Sequence, residues 1–120
     1  MINSKELGII GEEEAIKFLR IKGYNILEKN WRYSHKEIDI IAQYEDIICI
    51  IEVKTRSSNY IKPSDAVTKK KQKHLIFAAN EYSSKLNIEH EIRFDIIEVI
   101  YSNNTYSINY IKDAFYPTLN

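Results

Sequence analysis

At 120 residues the chain has the size of one domain, 1–120, built on one core. Apolar residues at 44% and charged residues at 28% match an ordinary globular protein, while a formal net charge of zero excludes a nucleic-acid binder that works by bulk charge alone. No apolar run reaches the roughly 18–20 residues of a bilayer span, the N-terminus lacks the charged-then-apolar order of a secretory signal, and the single cysteine, Cys49, excludes an internal disulfide or a cysteine-rich zinc site. The expectation is a cytoplasmic protein with no membrane partner.

Asn3 or Ser4 can cap a first helix that runs to about Ile21, with Gly23 placed to stop it. Leu7, Gly11, Ala15, Phe18 and Lys22 share one side of that helix, with Gly8 and Leu19 beside them. The small residues Gly8, Gly11 and Ala15 allow close packing on a sheet, and Glu13, Lys17 and Arg20 face solvent.

From Tyr24 the pattern turns to strand. Tyr24 to Tyr33 is a first strand with a polar patch at Glu28-Lys29-Asn30. Glu37 to Gln43 and Ile47 to Lys54 are rich in Ile, which suits a pleated, buried surface. The short Tyr44-Glu45-Asp46 connection predicts an antiparallel hairpin. Pro63 and Ser64 open a second helix to about Leu86, with Val67, Leu75, Ala78, Ala79, Tyr82 and Leu86 as its apolar stripe. Ile92 to Val99 and, after Ser102-Asn103-Asn104, Tyr106 to Ile111 complete the set. The order α-β-β-β-α-β-β implies an α/β domain of two or three layers with a mixed sheet.

Charge is segregated within this neutral chain. Between Lys54 and Lys73 the bases Lys54, Arg56, Lys62, Lys69, Lys70, Lys71 and Lys73 meet one acid, Asp65. Such a segment can hold phosphate, although a solvated helix end reads the same way.

The chemistry concentrates on two strands. Glu52 and Lys54 project from the same face, about 7 Å apart along the chain. Glu37 and Asp39 share a face of the preceding strand. A hairpin centred on Glu45-Asp46 puts Asp39 directly across from Glu52, with Cβ atoms about 4.5–5.5 Å apart. Two carboxylates that close repel unless a positive charge lies between them. A hard divalent cation, Mg²⁺ or Mn²⁺, answers that need, because it prefers carboxylate oxygens and completes its shell with water and phosphate. Lys54 then stands beside it, able to hold or deprotonate a water and to steady charge on phosphate. The plainer alternative is a cross-strand ion pair of Asp39 and Glu52 with Lys54.

Gly8-x-x-Gly11-Glu12-x-x-Ala15, Glu37-Ile38-Asp39-Ile40-Ile41 and Glu52-Val53-Lys54-x-Arg56 together resemble the bacterial YraN-like family. Pro63, Ala66-Val67, Lys71-Gln72, Ala79, Arg93-Phe94-Asp95 and Ala114-Phe115 extend the match from about Gly8 to Phe115. That family is similar to restriction-endonuclease-like nucleases, including archaeal Holliday-junction resolvases. The resemblance implies a restriction-endonuclease-like mixed sheet flanked by helices, with Asp39, Glu52 and Lys54 as its site. It also implies a metal-dependent nuclease, read here as acting on DNA in preference to RNA, with branched or repair structures among its candidate substrates and a homodimer, as in the resolvases, open to it. Helical periodicity leaves Glu12 and Glu14 equally placed, and the resemblance selects Glu12 as a fourth site residue and metal ligand.

Glu37 has a secondary role open to it, touching the metal or a water, or pairing with Arg32 or Lys36. Lys71 falls on the apolar side of the second helix, as a phosphate contact assisted by Gln72 or as a snorkelling side chain. Lys69 and Lys70 point away from that stripe, and Arg56 is a further phosphate candidate. His35, His74 and His90 show no metal spacing. Cys49 alternates to the face opposite Glu52, and Trp31, Tyr82, Tyr106 and Tyr110 are better explained by packing. The alternative to a nuclease is a nucleic-acid-binding accessory module with little turnover, which the neutral charge and short length suit.

Overall fold

A computed structural model describes residues 3–57, 67–87 and 89–117. Helix α1 spans Ser4–Ile21. Asn3 caps it, its Oδ1 accepting from Glu6 N–H at 2.8 Å, and Gly23 ends it at φ +94, a left-handed value that glycine adopts without cost. Strands β1 (Asn25–Tyr33), β2 (Lys36–Tyr44) and β3 (Ile47–Arg56) follow. Helix α2 (Lys69–Leu86) leads to β4 (Glu91–Ser102) and β5 (Thr105–Phe115). The five strands lie in chain order in one sheet. All neighbours are antiparallel except β3 and β4, which are parallel because α2 carries the chain back across the sheet. The fold is the expected mixed α/β sheet in the order α-β-β-β-α-β-β.

One helix covers each face, giving three layers. Ala15, Ile16 and Leu19 of α1 pack with Ile40, Ala42, Cys49, Ile51, Ile97 and Val99. Leu75, Ala78, Ala79 and Tyr82 of α2 pack with Ile38, Ile41, Ile48, Ile50 and Phe94. Strand alternation thus sends Cys49 to the α1 face and Glu52 toward α2. Gly11 makes the close approach of α1 possible, since a Cβ there would lie 2.0 Å from Thr55 Oγ1. Gly8 has open space around it and takes no part in that approach.

Several boundaries differ from expectation. Pro63 and Ser64 lie outside the described residues, and α2 begins at Lys69, where Thr68 Oγ1 accepts from Lys71 N–H at 3.1 Å. Val67 therefore packs on the α2-side core from the chain just before the helix. Leu86 is 53% exposed at the last turn, where Asn87 caps in the left-handed conformation. Strand β5 continues past Ile111 through an irregularity at Asp113, whose φ is 55. The cause is the fully buried Asp95, whose Oδ1 accepts from Asp113 N–H at 2.8 Å and from Arg93 Nε at 2.9 Å. Tyr110 O–H donates to the same carboxylate, and Arg93 Nη2 also donates to Tyr24 and Tyr110 hydroxyls. A lysine and an aspartate in sequence look like a strand end, whereas here a buried carboxylate holds the backbone. Among the described residues no helix is long and apolar enough to cross a membrane.

Candidate functional site

The β2–β3 ladder pairs Tyr44 with Ile47, Gln43 with Ile48 and so on to Ile40 with Ile51. One step further, Asp39 comes opposite Glu52, the register that a hairpin centred on Glu45-Asp46 predicts. There regular pairing stops. Val53 N–H donates to Asp39 Oδ2 at 2.9 Å, so a side chain takes over where a ladder carbonyl would have served. On the other side of β2, the partner of Asp39 is Asn30, between the pairs Lys29–Ile40 and Trp31–Ile38. Asn30 has φ 50, a left-handed value that asparagine tolerates better than most residues. Ile38 and Ile40, two residues apart, pack into opposite clusters. Alternation is thus broken at Asp39, where one strand residue adjoins Glu52 of β3 and Glu12 of α1.

Glu52 is the electrostatic centre of this region. Its carboxyl is 5% exposed, and Oε1 accepts no hydrogen bond from a described residue. Burial and the adjoining Asp39 carboxyl push its pKa up to about 8, against the opposing pull of two lysines. Lys54 Nζ lies 3.9 Å from Glu52 Oε2, and Lys71 Nζ reaches the same oxygen from α2 at 3.8 Å. The Lys54 and Lys71 side chains are each about a third exposed, so both reach from the surface to a buried acid.

A second acidic pair adjoins Asp39 from the α1 side. In the amide orientation that satisfies both neighbours, Asn30 Nδ2 donates to Glu12 Oε1 at 2.8 Å and Glu37 Oε1 at 3.0 Å. Burial, then Asp39, then Glu37 raise the Glu12 pKa above the ordinary carboxylate value. Glu37 also pairs with Arg32 at 3.4 Å. Glu14, the other candidate on α1, pairs with Lys17 on the helix surface.

The structure therefore brings Asp39, Glu52, Lys54 and Lys71 together and sets Glu12 and Glu37 beside them through Asn30. Among the described residues no three His, Cys, Asp or Glu side chains form a ready-made cage for an ion. The oxygen donors present still suit a hard cation. Two adjoining carboxyls, one with a buried oxygen that has no donor among the described residues, repel each other when both are ionised, and Mg²⁺ commonly takes one or two protein carboxylates with water and phosphate for the rest.

The other expected contacts lie apart. Arg56 Nη2 meets Glu98 Oε2 of β4 at 3.0 Å, and Asn109 of β5 donates to the other oxygen of Glu98 at 2.8 Å. Gln72 Nε2 donates to Val67 O at 3.1 Å, bracing the entry to α2. Lys69 and Lys70 are exposed on the first turn of α2. Asn30 is the residue that sequence reasoning passed over. Its signal was a polar residue inside a strand, opposite Asp39 once β1 and β2 are put in register.

The chain matches the model of "Uncharacterised protein family UPF0102" over residues 11–99, a span holding Glu12, Asp39, Glu52, Lys54 and Lys71. It is 46% identical over 117 residues to a UPF0102 protein of Flavobacterium psychrophilum, covering 97% of this chain and 98% of that one. A UPF0102 protein of Phocaeicola vulgatus is 40% identical over 120 residues, 99% of each chain. One from Parabacteroides distasonis is 42% identical over 117 residues, 97% of each.

Proposed function

This chain belongs to the UPF0102 family, and we propose that it is a divalent-metal-dependent nuclease that hydrolyses phosphodiester bonds of DNA at the Asp39–Glu52–Lys54 cluster. The observation that carries the reading is Glu52. A buried carboxyl beside a second carboxyl, with no donor to Oε1 among the described residues and two lysines at Oε2, is costly for the fold alone. Such an arrangement makes chemical sense where a cation and a phosphate are to be held together.

Asp39 and Glu52 would hold Mg²⁺ or Mn²⁺, with Glu12 close enough through Asn30 to orient water around it. When bound, such a cation supplies Lewis-acid polarisation of a phosphoryl oxygen. The protein's own groups do the rest. Lys54 and Lys71 stand where negative charge grows on the non-bridging oxygens, and their half-buried setting makes each ammonium worth more than it would be in water. Val53 N–H holds the Asp39 carboxyl in place through Oδ2, which would steady this group as a ligand. Lys69 and Lys70, on the first turn of α2, extend the basic rim along a DNA backbone. Two copies acting together would present two such sites to a duplex, as the resolvase likeness suggests; sedimentation with and without DNA reads that assembly.

The test is cleavage of linear, single-stranded and four-way-junction DNA with Mg²⁺ or Mn²⁺, beside Glu52→Ala and Lys54→Ala. Cleavage by the wild type and its loss in both variants is expected. Undiminished cleavage in both would sink the site. Salt-dependent binding without cleavage would instead favour an accessory module that binds nucleic acid.

A further inference from the structure

On the α2 face an aromatic row starts at Trp31, packed on the α2-side core against Tyr82, and runs outward through Tyr33 to Phe77. Phe77 of α2 is 47% exposed. Its ring lies 6.1 Å from Tyr33, at the end of β1, and Tyr33 in turn stacks on Trp31 at 6.3 Å with the planes 9° apart. Lys36 Nζ sits 4.8 Å over the Phe77 ring. Lys70 and Lys73, exposed and seven and four residues before Phe77, share its side of the helix. The rings form a row edged with three lysines, and Phe77 lies about 9 Å further along the axis of α2 than Lys71 and about a third of a turn around it.

We infer that Tyr33 and Phe77 form a stacking platform for an unpaired nucleobase next to the scissile phosphate, with Lys36, Lys70 and Lys73 on its backbone. This rests on the nuclease reading above and specifies its substrate as a strand with unpaired nucleotides. Aromatic faces bind bases of any sequence, but only where the base is free of its duplex neighbours. The lysines supply the matching charge along the same track. The platform thus selects single-stranded, flapped or frayed DNA over an intact duplex. Trp31, the only tryptophan in the chain, stacks on Tyr33 and so reports on occupation of the platform.

The experiment titrates the full chain, in EDTA, with labelled oligothymidine and with a duplex of the same length. Anisotropy and Trp31 fluorescence are both followed, for the wild type, Phe77→Ala, Phe77→Leu and Tyr33→Ala. The wild type should bind the single strand with a change in Trp31 emission. Each ring-removing variant should bind it about tenfold more weakly, keep its duplex affinity and lose the emission change. Phe77→Leu keeps apolar bulk and the melting temperature, so its loss of affinity reads the ring and not the fold. Variants that bind the strand as tightly as the wild type, or binding that leaves Trp31 unchanged, would overturn the platform and leave the nuclease reading standing. A wild type that binds neither DNA in EDTA, and cleaves none when Mg²⁺ or Mn²⁺ is added, overturns both.

Discussion

Lys71 Nζ, in the first turn of α2, lies 3.8 Å from Glu52 Oε2 in the middle of β3. The helix that makes β3 and β4 parallel therefore also delivers a cation to the buried acid. Lys54 reaches the same oxygen from within the strand. Two lysines from different elements on one carboxylate give the site a charge balance that neither element has alone.

Lys54→Ala and Lys71→Ala should each lower kcat for DNA cleavage by about a hundredfold. Lys85→Ala, on an exposed position at the far end of α2, should leave it unchanged. Single-turnover rates with Mg²⁺ read the difference. Equal rates for Lys71→Ala and the wild type would remove Lys71 from the site.

Glu52 makes stability depend on pH in the metal-free protein. Its pKa is raised from an ordinary value near 4.5 to about 8. The unfolded chain then releases its proton at lower pH than the folded one. The stabilising contribution is fully present below pH 4.5 and is lost as pH rises through about 8. Glu52→Gln should abolish this slope and be more stable than the wild type at pH 8 by about 1–2 kcal/mol. Denaturant unfolding in EDTA at pH 5 and pH 8 measures it. Mg²⁺ should then raise the melting temperature of the wild type at pH 8 but not that of the variant. An unaltered slope in Glu52→Gln would place the titration elsewhere.

Two glycines on one helix should respond with opposite signs to the same substitution. Gly11→Ala pushes a Cβ into Thr55, a β-branched side chain with little freedom to move, and should cost about 1–3 kcal/mol. Gly8→Ala enters open space and should stabilise by about 0.5–1 kcal/mol through helix propensity. Thermal melts of both variants decide it. Destabilisation by Gly8→Ala, or tolerance of Gly11→Ala, would contradict the packing described for α1.

Cys49 should be inert in the folded protein. It is fully buried, and burial, followed by the neighbouring Asp95, pushes its thiol up to about 12. Alkylation at pH 8.5 should proceed only on addition of denaturant. The unfolded thiol ionises near pH 9 and the folded one near 12. Stability should therefore hold below pH 9 and fall between pH 9 and 12, with Tyr110, also raised by burial and Asp95, adding to the same alkaline fall. Rapid native alkylation would show that the α1 face opens.

Much of this protein follows from local pattern. Runs of isoleucine mark β2 and β3, and a two-residue connection at Glu45-Asp46 sets their register. Asp39 and Glu52 then face each other by arithmetic alone, because side chains alternate every residue and a hairpin pairs positions symmetrically about its turn. The helical period likewise put Lys71 on the covered side of α2. What pattern could not reach were the partners that meet only when distant segments pack. That Lys71 ends on Glu52, that Arg56 ends on Glu98, and that Asn30 ties Glu12 to Glu37 depend on where α2 crosses the sheet and how closely Gly11 lets α1 approach. The same holds for β5, which runs on past Lys112-Asp113 because the buried Asp95 on another strand holds its backbone. Period and turn length are properties of neighbouring residues, so the sequence determined the faces and the hairpin register. Crossover, close approach and buried hydrogen bonds are set by the packed whole, and only the tertiary structure decided which charges share the site.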